Sequence, residues 1–172
     1  MRVLMLTPKV DLNDDIRGFI HLWIAEIAKR IEYAYVITLE KGRVDLPPNV
    51  EVFQVEGANR VLKLISLTNL AIKLIPKVDM VFTHMFPEFP IYLAPWAKIF
   101  GKPIVMWRAH GHINLRSLIA HALVDVVVTS SQLGFRIKSH KVRVIGHGID
   151  THKFKPNQSI SKKNLILSVG RI

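Results

Sequence analysis

The chain has 172 residues, 49% of them hydrophobic, with a mean hydropathy of +0.25, which suits one α/β domain whose parallel sheet is buried on both faces. It contains no cysteine, so disulfides and thiolate metal centres are excluded. The net charge of +11 favours anionic partners, but the basic clusters Lys138/Lys141/Arg143 and Lys153/Lys155 lack the interleaved aromatics of a nucleic-acid face, and none is expected there.

Arg2 to Thr7 predicts a strand closed by Pro8. The four apolar residues from Val3 to Leu6 are too short a run for a secretion signal. No later run approaches the roughly 20 apolar residues of a membrane span. A cytoplasmic protein is therefore expected. Ile16, Phe19, Ile20, Trp23, Ile24, Ile27 and Ile31 recur at helical spacing, with Asp14 or Asp15 placed to cap the helix. Tyr35 to Leu39 and Val50 to Val55 predict two more strands, the second entered through Pro47-Pro48-Asn49.

Arg60 to Ile75 predicts a helix stopped by Pro76, and Val78 to Thr83 a fourth strand. A helix from Phe89 to Phe100 ends at Gly101, and Pro103 to Trp107 forms a fifth strand. Leu115 to Leu123 as helix, Val124 to Thr129 as strand, a helix from Ser131 and a strand over Val142 to Ile145 complete the series. Regular alternation of this kind implies a Rossmann-like, doubly wound α/β fold with a parallel sheet of about seven strands. Asn157 to Lys163 is polar and linker-like, and Leu165 to Val169 opens a fresh strand. The expected division is therefore 1–157 as one domain and 158–172 as a linker plus the first strand of a truncated second domain.

Ligands of such sheets bind at the carboxyl ends of the strands. That rule selects Pro8 to Phe19, His84 to Glu88, Arg108 to His112 and Gly146 to Asp150. Gly18 near a helix N-terminus lets backbone amides approach a phosphate, although no G-x-G-x-x-G or Walker A pattern is present. His110, leaving the fifth strand beside Gly111, can hydrogen-bond a sugar hydroxyl or move a proton near neutral pH. No carboxylate sits at metal-site spacing beside the histidines, so no metal and no cofactor are expected.

These loops carry a resemblance. Met1-Arg-Val-Leu-Met-Leu-Thr-Pro8, Ala25-Glu-Ile-Ala-Lys-Arg30, Val78-Asp-Met-Val-Phe-Thr-His84, Gly101-Lys-Pro-Ile-Val105 and His110-Gly111 appear in order. Val124 to Ser131, Lys141-Val-Arg-Val-Ile-Gly-His-Gly-Ile-Asp150 and Leu165 to Arg171 follow. Together they resemble the N-terminal domain of group 1 (family 4) glycosyltransferases, retaining enzymes of GT-B fold. The resemblance implies one half of that fold, a nucleotide-sugar donor, and a saccharide, lipid-linked or phosphorylated acceptor. It implies that His110 contacts the transferred sugar and that Gly18 lies against the donor diphosphate. It implies that Arg171 is one of two cations neutralising that diphosphate in place of a metal. His84, Gly111, His147 and Asp150 are expected in the substrate crevice. Two positions depart from the family pattern: Phe19 stands where a second glycine is common, and Gly146-His147 replaces Pro-Asn. The 172-residue chain is expected to be inactive alone, because the second cation and the nucleotide-binding segment lie in sequence it does not contain.

The apolar segment from Arg60 to Lys77 with its four cations suits peripheral contact with an anionic membrane face, or an ordinary sheet-covering helix with solvated lysines. Two other readings remain open: a GT-B-like epimerase of sugar nucleotides, and a nonenzymatic basic module that binds membrane or nucleic acid.

Overall fold

The computed structural model describes residues 1–152 and 154–156. Arg171, the 158–163 linker and the strand expected over Leu165 to Val169 lie outside the described residues. Seven strands form one sheet: β1 (Arg2–Val10), β2 (Tyr33–Lys41), β3 (Val50–Gln54), β4 (Met80–His84), β5 (Ile104–Trp107), β6 (Val126–Thr129) and β7 (Val142–Val144). Every pairing is parallel, in the order β3-β2-β1-β4-β5-β6-β7. The doubly wound expectation holds, and the order reverses direction between β1 and β4.

Helices α1 (Gly18–Ala28), α2 (Arg60–Leu74), α3 (Glu88–Ile99) and α4 (Leu115–Leu123) supply the crossovers. Asn59 and Asn114 cap α2 and α4 through their side chains, accepting from Leu62 N and Ser117 N. Gly101 closes α3 with a φ of 63°, a conformation glycine adopts without steric cost. Leu67, Ala71, Leu74, Phe89, Leu93, Ala97 and Ala120 bring α2, α3 and α4 onto one sheet face, against Leu4, Leu6, Ile37, Val81, Ile104 and Met106. On the other face Ile20 and Ile24 of α1 pack on Val3, Met5, Ala34 and Val36.

Three expectations are corrected. β1 does not stop at Pro8 but continues to Val10 along β2, pairing Thr7 with Thr38 and Lys9 with Glu40. Its pairing with β4 ends at Leu6, so beyond that point one side is an edge, where a proline costs no ladder bond. α1 ends at Ala28, short of Ile31, and leaves Ile16 and Phe19 exposed. Among the described residues no α-helix follows Ser131. A 3-10 turn over Gln132–Gly134 is held by Ser131, whose hydroxyl and carbonyl both accept the Gly134 N–H at 3.1 Å. Phe135 is then buried in extended geometry, and its anchoring in the core pulls the chain straight where a helix would lift it away.

Candidate functional site

The carboxyl ends of β1, β4, β5 and β7 converge beside the N-terminal half of α1. After β1, Lys9 Nζ reaches Asp14 at 2.7 Å and Asp11 at 3.4 Å, fastening the first loop. Asp14, the expected cap, accepts the Ile16 and Arg17 amides ahead of the helix, and with Lys9 these hold its carboxyl down at about 2. Gly18 donates its own N–H to Asp14 O at 2.8 Å, and a side chain there would meet Leu12 O at 3.4 Å and Asp11 O at 3.8 Å, both ordinary contacts. Nothing among the described residues therefore demands glycine at 18. Gly111 is different: a Cβ would stand 2.8 Å from Leu133 O, so packing alone requires glycine.

His84 ends β4 and is 3% exposed. Its Nδ1 lies 3.3 Å from Thr7 Oγ1, while its Nε2 is buried without a partner. Burial, and secondarily His147, push its pKa down to about 4, so the ring is neutral at pH 7. It borders an apolar hollow formed by Met5, Ile20, Trp23, Ile24 and Phe82. Trp23 is the hub of this region, with ring centroids 5.6 Å from His84, 5.1 Å from Trp107, 5.2 Å from His147 and 5.7 Å from Phe19. His147 also meets Trp107 at 5.7 Å, so the segment after β7 is stapled to α1 and β5. His84 and His147 are thus brought together around Trp23.

His110 stands apart from that cluster on the loop after β5. Its amide donates to Gly134 O at 2.7 Å, and its Nδ1 accepts the His112 amide at 3.2 Å. With Nδ1 accepting, the ring proton sits on Nε2, which makes an exposed donor at the mouth of the sheet. Asp150 accepts the His152 amide through its side chain and the Phe154 amide through its carbonyl, both at 2.9 Å, which shapes the turn after Gly146.

Three further residues shape this edge. Trp23 reads in the sequence as part of an apolar helical stripe, and Trp107 as part of an apolar strand. Arg108 falls in a strand-end loop whose sequence assigns it no role. It is 6% exposed; its NH1 donates to Met85 O at 3.0 Å, its NH2 to His112 O at 3.3 Å, and its Nε has no partner. Met85, the residue after β4, has a φ of 73°, a strained conformation for a side-chain-bearing residue. The signal available was an arginine closing an apolar strand directly before Ala-His-Gly.

This edge and sheet order define the chain's class: one Rossmann-like half of a GT-B-like fold. HepE from Anabaena, solved in complex with UDP and glucose, is similar over 92% of this chain and 48% of its own, at 19% identity and a TM-score of 0.65. The UDP-GlcNAc 2-epimerase of Methanocaldococcus jannaschii matches over 85% and 45%, at 11% identity and a TM-score of 0.60. MurG of Acinetobacter baumannii matches over 92% and 46%, at 13% identity and a TM-score of 0.58. The chain thus spans about half the length of each, from 45% to 48%. Neither a protein-family model nor a curated protein matches it by sequence.

Proposed function

We propose that the chain is the acceptor-side half of a retaining glycosyltransferase that moves a sugar from a nucleotide-sugar donor to a saccharide, lipid-linked or phosphorylated acceptor. The observation that carries this reading is the half-domain shared with HepE, a protein solved with UDP and glucose and also with UDP-glucose. His110 supports it by presenting a fixed Nε2–H donor at the open end of β5, placed to bind a hydroxyl of the transferred sugar. Gly18 supports it too, because a close ligand approach explains a glycine that the fold does not require. Under this reading residues 1–157 hold the acceptor, and 158–172 lead into a donor domain where Arg171 helps neutralise the diphosphate, with no bound metal.

Similarity to the M. jannaschii UDP-GlcNAc 2-epimerase favours a second reading, in which the complete enzyme inverts one carbon of its nucleotide sugar. One experiment separates the two. The protein read on past Ile172 is incubated with UDP-glucose and UDP-GlcNAc, with and without acceptor glycans. A transferase releases UDP only with acceptor and keeps the anomeric configuration. An epimerase changes the sugar without acceptor. If neither occurs, and binding to polyanions is salt-sensitive and indifferent to nucleotide sugars, the basic-module reading replaces both. The 172-residue chain alone is expected to show no turnover, and sugar transfer by it would overturn the half-enzyme reading.

Peripheral contact with an anionic membrane belongs to the same proposal. No described helix is long and apolar enough to cross a bilayer. On α2, however, Val61, Leu62, Leu64 and Ile65 are 46% to 66% exposed, beside Arg60 and Lys63. Residues 60–77 contain four cations and no acid. Liposome co-sedimentation should favour anionic over neutral vesicles, and Val61→Ser with Ile65→Ser should reduce it. Equal binding to both vesicle types would leave α2 as an ordinary sheet-covering helix.

A further inference from the structure

We propose that Arg108 is the positioning residue of this edge: it grips the loops after β4 and β5 together and so sets the direction in which His110 presents its Nε2–H. The inference rests on the reading of His110 as a sugar-contacting residue.

The linkage can be followed atom by atom. Arg108 NH1 donates to the Met85 carbonyl at 3.0 Å, and the Met85 amide donates to Trp107 O at 2.8 Å. Both polar atoms of the Met85 backbone are thus tied to β5, which accounts for its persistence at a φ of 73°. Arg108 NH2 donates to the His112 carbonyl at 3.3 Å, and the His112 amide in turn donates to His110 Nδ1 at 3.2 Å. The guanidinium therefore acts on the catalytic candidate through a single intervening residue. Its planar fork spans two carbonyls on different loops, which an ammonium cannot match.

Packing alone does not explain an arginine here. Among the described residues no salt bridge engages it, and Glu88, the acid that acts on it electrostatically, pairs with Arg116 at 2.7 Å. A buried cation with one N–H unpartnered is an expensive way to fill space that a methionine would fill. Its geometry is what methionine cannot supply.

The test reads His110 before any chemistry. In the 172-residue protein, long-range 15N NMR of the imidazoles should show His110 as the Nε2–H tautomer, and the His112 amide as protected from exchange. Arg108→Met should give mixed tautomers at His110 and raise His112 amide exchange about tenfold. Arg108→Lys keeps charge and solubility but reaches only one carbonyl, and should be intermediate. It also serves as the probe if the methionine variant does not fold. Lys141→Met is the control for general destabilisation. It removes a lysine that donates to His121 O, Ala122 O and Val124 O at the opposite end of the sheet, and it should leave His110 unchanged. An unaltered tautomer and unaltered exchange in both Arg108 variants would overturn the proposal. Those readouts need no ligand, so they stand or fall separately from sugar transfer. In the longer protein with nucleotide sugar and acceptor, Arg108→Lys should lower kcat with little change in KM.

Discussion

The two ends of the sheet are built on opposite principles. At the amino ends, loose groups are tied down. Asp79 Oδ2 accepts the Arg2 amide at 2.6 Å, Arg2 pairs with Glu32, Asp125 Oδ2 accepts the Ile104 amide at 2.7 Å, and Lys141 caps the last carbonyls of α4. At the carboxyl ends, Thr83 Oγ1, His84 Nε2 and Arg108 Nε are buried without partners, and Met85 is strained. Three of the five buried side-chain atoms without a partner among the described residues therefore lie where a ligand would be met, although His121 Nε2 is unpartnered near the amino end and the Lys9–Asp14 bridge stabilises the carboxyl end. The difference separates the part of the sequence that holds the sheet from the part that serves it.

The largest expected effect tests the cost at the carboxyl end through pH. His84 is held at about 4 when folded, below its ordinary 6.5, so the unfolded chain binds more protons between those values. Stability should therefore fall as pH drops from about 6.5 to about 4, by roughly 3 kcal/mol from this one ring, and level off below. His21 and His121 add loss of the same sign, because burial lowers both. Urea midpoints of His84→Leu should show a much shallower slope across that window, with stability at pH 7 within about 1 kcal/mol of the parent. A slope unchanged by the substitution would mean that His84 costs nothing. A separate loss at lower pH should persist in the variant, since it belongs to carboxyls held down by their partners: Asp14 at about 2, with Asp11, Glu26 and Glu32 shifted the same way.

Gly111→Ala comes next. Its new methyl meets a backbone oxygen at 2.8 Å, which should cost about 1–3 kcal/mol by urea denaturation and displace the His110 loop. Gly18→Ala, which meets nothing closer than 3.4 Å, should leave stability unchanged or raise it by up to about 1 kcal/mol and yet weaken binding of a UDP-sugar to the longer protein. Equal costs at the two glycines would dissolve the distinction between packing and ligand. The amino end supplies the control. Asp125→Ala should lose about 1 kcal/mol with no change at His110, measured by urea midpoint and by imidazole NMR.

The same contrast explains what the sequence made legible. Strands such as Val81–Thr83 and Ile104–Met106 are continuous apolar runs, and helices such as Arg60–Leu74 carry clear caps and stops, so local pattern was enough to locate them. Pro8 misled because its tolerance depends on which side of β1 remains unpaired, a property of the whole sheet. Ser131 misled because Phe135 gains more from burial than the segment gains from helical bonds. At the edge, the strand-end rule selects the loops that carry His84, His110 and His147. Trp23 and Arg108 were not assigned a role, because a tryptophan in an apolar stripe looks like core and a lone arginine looks like surface. Only the fold brings the first to four other rings and places the second between two loops.

The junction of β1 with β4 also bears on how this edge comes into being. Leu6 pairs with Thr83, 77 residues away, whereas Leu6 to Ile37 spans 31, Phe82 to Val105 spans 23 and Val127 to Val142 spans 15. Closing the longest of these loops carries the greatest entropic cost, so β1 and β2 can meet early while β4 docks late. The crevice between them is thus a product of the least local step in folding. During synthesis it cannot exist until about half the chain has left the ribosome.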